Sequence, residues 1–136
     1  MAQTVQEEHG QVLMADDPGL VTVNKIASAV EQIVRQVNPV RIVAFGSRAR
    51  GDHRLNSDLD LAVIVDKYDP KKDKRPLWRA DIDVWMDMDV LIYDVARQQL
   101  LEDSPVSLQS QVKQEGKVLY ERALGHYDRE AAASLV

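Results

Sequence analysis

Cysteine is absent from the chain, which excludes disulfides and thiolate-held metals. No apolar run approaches the length of a membrane span. The N-terminus lacks a basic region followed by an apolar core, so no signal peptide is expected and the chain reads as cytoplasmic. Positive charge is not in excess. A net charge of −5 and a pI near 5.1 argue against a surface built to collect nucleic-acid phosphates. Internal repeats and low-complexity tracts are also missing. What is present, 45% hydrophobic and 29% charged residues over 136 positions, suits one globular domain with an ordinary core.

Along the chain, Met1 to about Asp17 is polar and Asp17-Pro18-Gly19 signals a turn, so residues 1–22 are expected to form a tail or a peripheral helix. Val23, Ile26, Val30, Ile33, Val34 and Val37 recur at helical spacing, and Asn38-Pro39 ends that helix. Val40 to Phe45 is rich in β-branched residues and fits a buried strand. Asp58 to Val65 forms a second strand, whose Ala62-Val63-Ile64-Val65 end predicts burial on both faces. Asp66 to Pro76, with two prolines and the basic run Lys71-Lys72-Asp73-Lys74-Arg75, is a surface loop. A short helix is predicted over Leu77 to Val84 or Trp85, and a third strand over Met88 to Tyr93. Ser104-Pro105 reads as a cap followed by proline at the first helical position, in a helix ending at Glu115 against Gly116. Val118-Leu119-Tyr120 is a short docking segment, and the chain beyond Gly125 is expected to fray.

The segment between the first two strands carries the chemistry. Phe45-Gly46-Ser47 forms a turn at a strand end, where backbone donors are available. Asp58 and Asp60, one residue apart on a strand, point to the same face. Two carboxylates so placed repel each other unless a cation lies between them, and hard oxygen ligands suit Mg²⁺, which also takes ligands from substrate phosphates. Alone, an Asp-x-Asp is most simply a solvated turn; its coupling to Gly46-Ser47 and to apolar strands favours a nucleotide triphosphate held through divalent metal. A two-metal clamp needs a third carboxylate. Asp89 is chosen for it, because it sits inside the apolar third strand; Asp87 is the competitor. Arg48 and Arg50 are candidates for phosphate contact or for surface salt bridges. His53 has no second histidine near it and is not expected to bind metal. Trp78 and Trp85, seven apart, mark a partner surface or, for at least one of them, core packing.

Gly46-Ser47, ten intervening residues and Asp58-Leu59-Asp60 resemble the signature of the nucleotidyltransferase superfamily that includes DNA polymerase β. Phe45-Gly46-Ser47-Arg48-Ala49-Arg50-Gly51, Ser57-Asp58-Leu59-Asp60-Leu61 and Glu115-Gly116-Lys117-Val118-Leu119-Tyr120-Glu121 are similar to the minimal nucleotidyltransferases. The likeness runs over residues 23–121, leaving residues 122–136 as a C-terminal tail. It implies an α+β fold, a small mixed β-sheet flanked by helices, binding ATP and two Mg²⁺ ions. It further implies that Gly46, Ser47 and Arg48 hold the nucleotide. Asp58 and Asp60 would ligate both metals, and Asp89 would ligate the catalytic one and help deprotonate the attacking hydroxyl.

The chain is too short for the acceptor-binding domain of antibiotic-modifying relatives, so the acceptor is expected from another protein. Minimal nucleotidyltransferases commonly pair with a helical HEPN ribonuclease as antitoxin and toxin, the enzyme transferring AMP to a tyrosine hydroxyl of the toxin. The resemblance thus implies an antitoxin with a HEPN-domain partner, while the acidic balance and the lack of a long apolar run speak against direct nucleic-acid or membrane binding. Two alternatives stand beside it: a non-catalytic antitoxin that masks its toxin, and a small-molecule nucleotidyltransferase with a separate acceptor-binding subunit.

Overall fold

The computed structural model describes residues 4–8, 11–14, 19–73 and 82–136. Two short strands, β1 (Thr4–Glu8) and β2 (Gln11–Met14), pair antiparallel in a small sheet of their own. The described part of the N-terminal region is therefore extended rather than helical. Thr4 to Glu8 includes the β-favouring Thr4 and Val5, and Val12 lies across from Glu7 in the ladder.

The helix α1 (Val23–Val37) follows the expected periodicity. Thr22 caps it by accepting from the Lys25 amide at 3.2 Å, and Asn38 ends it in the left-handed region at φ 51°. Its buried residues Ile26, Ala29, Val30, Ile33 and Val37 form one stripe.

That stripe covers one face of a five-stranded mixed sheet ordered β5-β4-β3-β6-β7, built from β3 (Arg41–Phe45), β4 (Leu59–Val65), β5 (Met88–Asp94), β6 (Lys117–Glu121) and β7 (His126–Tyr127). Among the described strands, only β4 and β5 pair in parallel. Period-two alternation sends Ile42, Ala44, Leu59, Leu61, Val63, Val65 and Leu119 toward α1. Val43, Phe45, Ala62, Ile64 and Tyr93 form the other face with Val112 of α4 (Leu108–Glu115). Ala62 to Val65 is buried on both faces, as the apolar run requires.

Two expectations change, and a third falls mostly outside the described residues. The Ser104-Pro105 start is displaced. A separate helix, α3 (Val95–Leu101), follows β5 directly, and α4 begins after Ser107, whose hydroxyl accepts from the Ser110 amide at 3.0 Å. Asp94 caps α3 by accepting from the Arg97 amide at 2.9 Å. Its single buried residue is Gln98, locked between the Tyr93 hydroxyl and the Gln109 carbonyl, so no apolar stripe announced it.

The chain beyond Gly125 does not fray. β7 pairs with β6, and α5 (Arg129–Ala133) packs against α1, with Ala132 and Leu135 fully buried in the core. Two apolar residues three apart suffice because the cavity they fill is already walled by α1 and β6. The helix expected over 77–84 falls mostly on residues 74–81, outside the described residues, as does Trp78. Ile82 to Trp85 is not helical, and Trp85 is 74% exposed, so it is not a core residue.

Candidate active site

The turn after β3 is built around a glycine for two physical reasons. Gly46 has φ +81°, a conformation that L side chains avoid, and a Cβ there would collide with an Asp60 carboxylate oxygen. A short helix, α2 (Ser47–Arg50), starts at once and is closed by Gly51, also at positive φ, whose amide donates to the Ser47 carbonyl at 2.9 Å. The Gly-Ser turn therefore lies directly against the acidic strand.

Strand register completes the arrangement. Phe45 pairs with Asp60 across β3 and β4, and Asp60 pairs with Asp89 across β4 and β5. Asp60 and Asp89 consequently share the face opposite α1, at the strand ends beside Gly46. Asp58 precedes β4 and is exposed, as is Asp89, while Asp60 is half-buried. Burial, then the charges of Asp89 and Asp58, push the Asp60 carboxyl up to about 6, with Arg50 opposing the shift. The charges of Asp58 and Asp89 thus both reach Asp60.

Asp89 differs from the expectation in one respect: its side chain is exposed, so burial does not explain its presence. Register does. Asp87 lies nearer the N-terminal segment, its carboxylate against Gly19 and its amide donating to the Gly19 carbonyl at 3.2 Å.

Among the described residues, no three acidic or histidine side chains stand at the spacing of a closed metal-ligand set. Like charges favour such separation. The donor chemistry still fits a hard divalent cation, since Asp60 and Asp89 share one sheet face and the charges of Asp89 and Asp58 both act on Asp60. His53 joins no such cluster.

Arg48, which the resemblance places at the nucleotide, is buried and bonded within the fold. Its guanidinium is 2% exposed and donates to four carbonyls: Ser57 at 2.9 Å, Leu135 at 2.8 Å, Leu55 at 3.1 Å and Arg54 at 3.3 Å. It is not a surface salt bridge. Instead it ties the 54–57 loop, which delivers Asp58, to the C-terminal segment. Burial lowers its pKa, and the Asp58 charge partly restores it. No local motif marked this role, because Leu135 is 87 residues away.

Arg50 is the arginine that faces the site. It is exposed, bonded to Asp52 at 3.1 Å and to Glu115 at 3.0 Å, and its charge reaches Asp60. In the sequence Glu115 stood only as the end of a helix and the start of the segment resembling minimal nucleotidyltransferases, with no role at the site. Its carboxylate accepts from the Gly46 amide at 3.0 Å and from the Gln111 side chain at 2.6 Å. The C-terminus of α4 therefore touches the Gly-Ser turn.

Residues 24–124 match the family described as Polymerase beta, Nucleotidyltransferase. No curated protein matches the chain at a significant level. Among solved structures, the chain is similar to a crystal structure described as a nucleotidyltransferase from Sulfolobus solfataricus, with 17% identity over 76% of this chain and 83% of that one and a TM-score of 0.49. It is also similar to a toxin–antitoxin structure with AMP-PNP, with 25% identity over 82% of this chain and 81% of the other and a TM-score of 0.45. The family match alone spans most of the chain, from α1 through the turn after β6, and contains the whole carboxylate face. The chain belongs to the polymerase β nucleotidyltransferase family and is a nucleotidyltransferase.

Proposed function

We propose that the protein transfers AMP from ATP to a tyrosine hydroxyl of a partner HEPN ribonuclease and so acts as an antitoxin. The observation that carries the nucleotide half of this reading is the register that sets Asp60 across from Asp89 beside the Gly46 turn. The Gly46 and Ser47 amides and the Ser47 hydroxyl receive the triphosphate, and Arg50, not Arg48, supplies the cationic contact. Asp58, Asp60 and Asp89 hold Mg²⁺. When bound, Mg²⁺ neutralises phosphate charge and acts as a Lewis acid toward the α-phosphate.

The chain's own residues perform the remaining work. The Gly-Ser turn fixes the triphosphate so that the α-phosphorus faces the carboxylates. Asp89, on the exposed rim of the sheet, accepts the proton of the incoming hydroxyl. The hydroxyl oxygen forms a bond to the α-phosphorus while the bond to pyrophosphate breaks. Catalysis is chiefly positioning and charge balance.

Exposure of Asp58 and Asp89 supports an acceptor that approaches from another molecule. The likeness of the Gly46-to-Leu61 and Glu115-to-Glu121 segments to minimal nucleotidyltransferases supports a HEPN toxin as that molecule. The test uses ATP labelled at the α-phosphate, Mg²⁺ and the protein product of the neighbouring gene. Label is expected on a partner tyrosine, with loss of RNA cleavage at substoichiometric antitoxin. A partner that never gains label ends the transfer reading. Neutralisation that survives Asp58→Ala would assign a masking role instead.

A further inference from the structure

The anion-receiving turn already holds an anion. One oxygen of the Glu115 carboxylate, Oε1, accepts from the Gly46 amide at 3.0 Å, from Arg50 Nη1 at 3.0 Å and from Gln111 Nε2 at 2.6 Å. These three donors come from the β3 end, from α2 and from α4, and 69 residues separate Glu115 from Gly46. The contact is therefore a product of the tertiary fold. Two of the donors, the Gly46 amide and the Arg50 guanidinium, are those assigned above to the triphosphate.

A carboxylate and a phosphate oxygen seek the same partners, amides and guanidinium groups. Two anionic oxygens crowded onto one amide hydrogen repel each other, so they compete for it. We propose that Glu115 is an internal competitor for the phosphate site: its carboxylate occupies the Gly46–Arg50 donors and must leave when a polyphosphate binds. The inference rests on the phosphate-binding role of the Gly46-Ser47 turn.

Its consequence is a set point for affinity. Binding a polyphosphate breaks the Glu115 contacts and brings like charges together unless the carboxylate swings away, so wild-type affinity is lower than the donor set alone would give. Gln111, one helical turn before Glu115, keeps a donor on the carboxylate and holds the competitor in place.

The discriminating experiment is calorimetric titration of the full chain and its Glu115→Gln variant with adenosine, AMP, ADP, AMP-PNP and inorganic tripolyphosphate. Glutamine keeps the size and an acceptor oxygen but removes the charge, and unchanged melting temperature would certify the fold. Glu115→Gln is expected to bind AMP-PNP and tripolyphosphate about ten-fold more tightly, AMP less so, and adenosine without change. A second variant, Glu115→Gln with Arg50→Ala, should lose most of that gain, because the Arg50 Nη1 donor released by Glu115 supplies it while Asp52 still holds Nε. A merely structural Glu115 would shift all ligands alike or none. If wild type binds AMP-PNP and Glu115→Gln binds it no more tightly, the competitor idea is overturned and the phosphate reading survives. If neither protein binds any polyphosphate, both fall.

Discussion

Asp60→Asn is expected to abolish nucleotidyl transfer while raising the melting temperature of the metal-free protein. These opposite effects come from one carboxylate. In the folded chain, burial and the charges of Asp89 and Asp58 raise Asp60 from its ordinary 3.8 to about 6. A raised carboxyl means that folding favours the protonated form. Its stabilising contribution is complete below the unfolded value near 3.8 and is lost as pH climbs through about 6. At pH 7.5 the protein therefore carries an ionised group that its fold disfavours. Half-burial and solvent screening reduce the effect to ~1 kcal/mol, or a few degrees in melting temperature. Asparagine removes that penalty, so the gain should be visible by calorimetry in EDTA at pH 7.5 and should shrink toward pH 4. Transfer, in contrast, loses a carboxylate at the reacting phosphate, a loss worth ~4 kcal/mol or roughly 10³-fold in rate. An Asp60→Asn protein that is both active and no more stable would contradict the assignment.

The second large effect is on stability. Arg48→Lys is expected to lower stability by ~3 kcal/mol, about ten degrees in melting temperature, despite keeping the charge. Four carbonyls, from Arg54, Leu55, Ser57 and Leu135, converge on one planar guanidinium. A lysine ammonium has three donors at a single point and cannot span acceptors from two separate segments. Buried carbonyls are then left without partners. Because the Ser57 carbonyl adjoins Asp58, the loop should also loosen locally. Amide hydrogen exchange at residues 54–58 and at the end of α5 should accelerate together, since one side chain ties both. Wild-type stability in Arg48→Lys would mean the guanidinium contacts are dispensable.

Legibility in the sequence followed the range of the interactions. The stripe of α1, the alternation of β4 and the Gly46-Ser47 to Asp58-Leu59-Asp60 spacing are local patterns, and each lies where its periodicity predicts. Asp89 was selected by an argument about burial, yet its side chain is exposed and its place beside Asp60 comes from parallel register. Arg48 and Arg50 look alike in sequence; only the fold turns one inward to carbonyls and the other toward Glu115. α3 escaped because its buried residue is a glutamine. The docked C-terminal segment escaped because Ala132 and Leu135 give no period long enough to read, although both are fully buried. Among the described residues, no helix is long and apolar enough to cross a membrane.

The central claim is that Asp58, Asp60 and Asp89 hold a divalent cation together with nucleotide beside the Gly-Ser turn. Titration with Mn²⁺ in the presence of AMP-PNP, followed by electron paramagnetic resonance, tests it most directly. Wild type should bind Mn²⁺ saturably, Asp58→Asn and Asp89→Asn should each weaken binding at least about ten-fold, and Asp87→Asn should leave it unchanged. Equal Mn²⁺ binding by wild type, Asp58→Asn and Asp89→Asn would contradict the account.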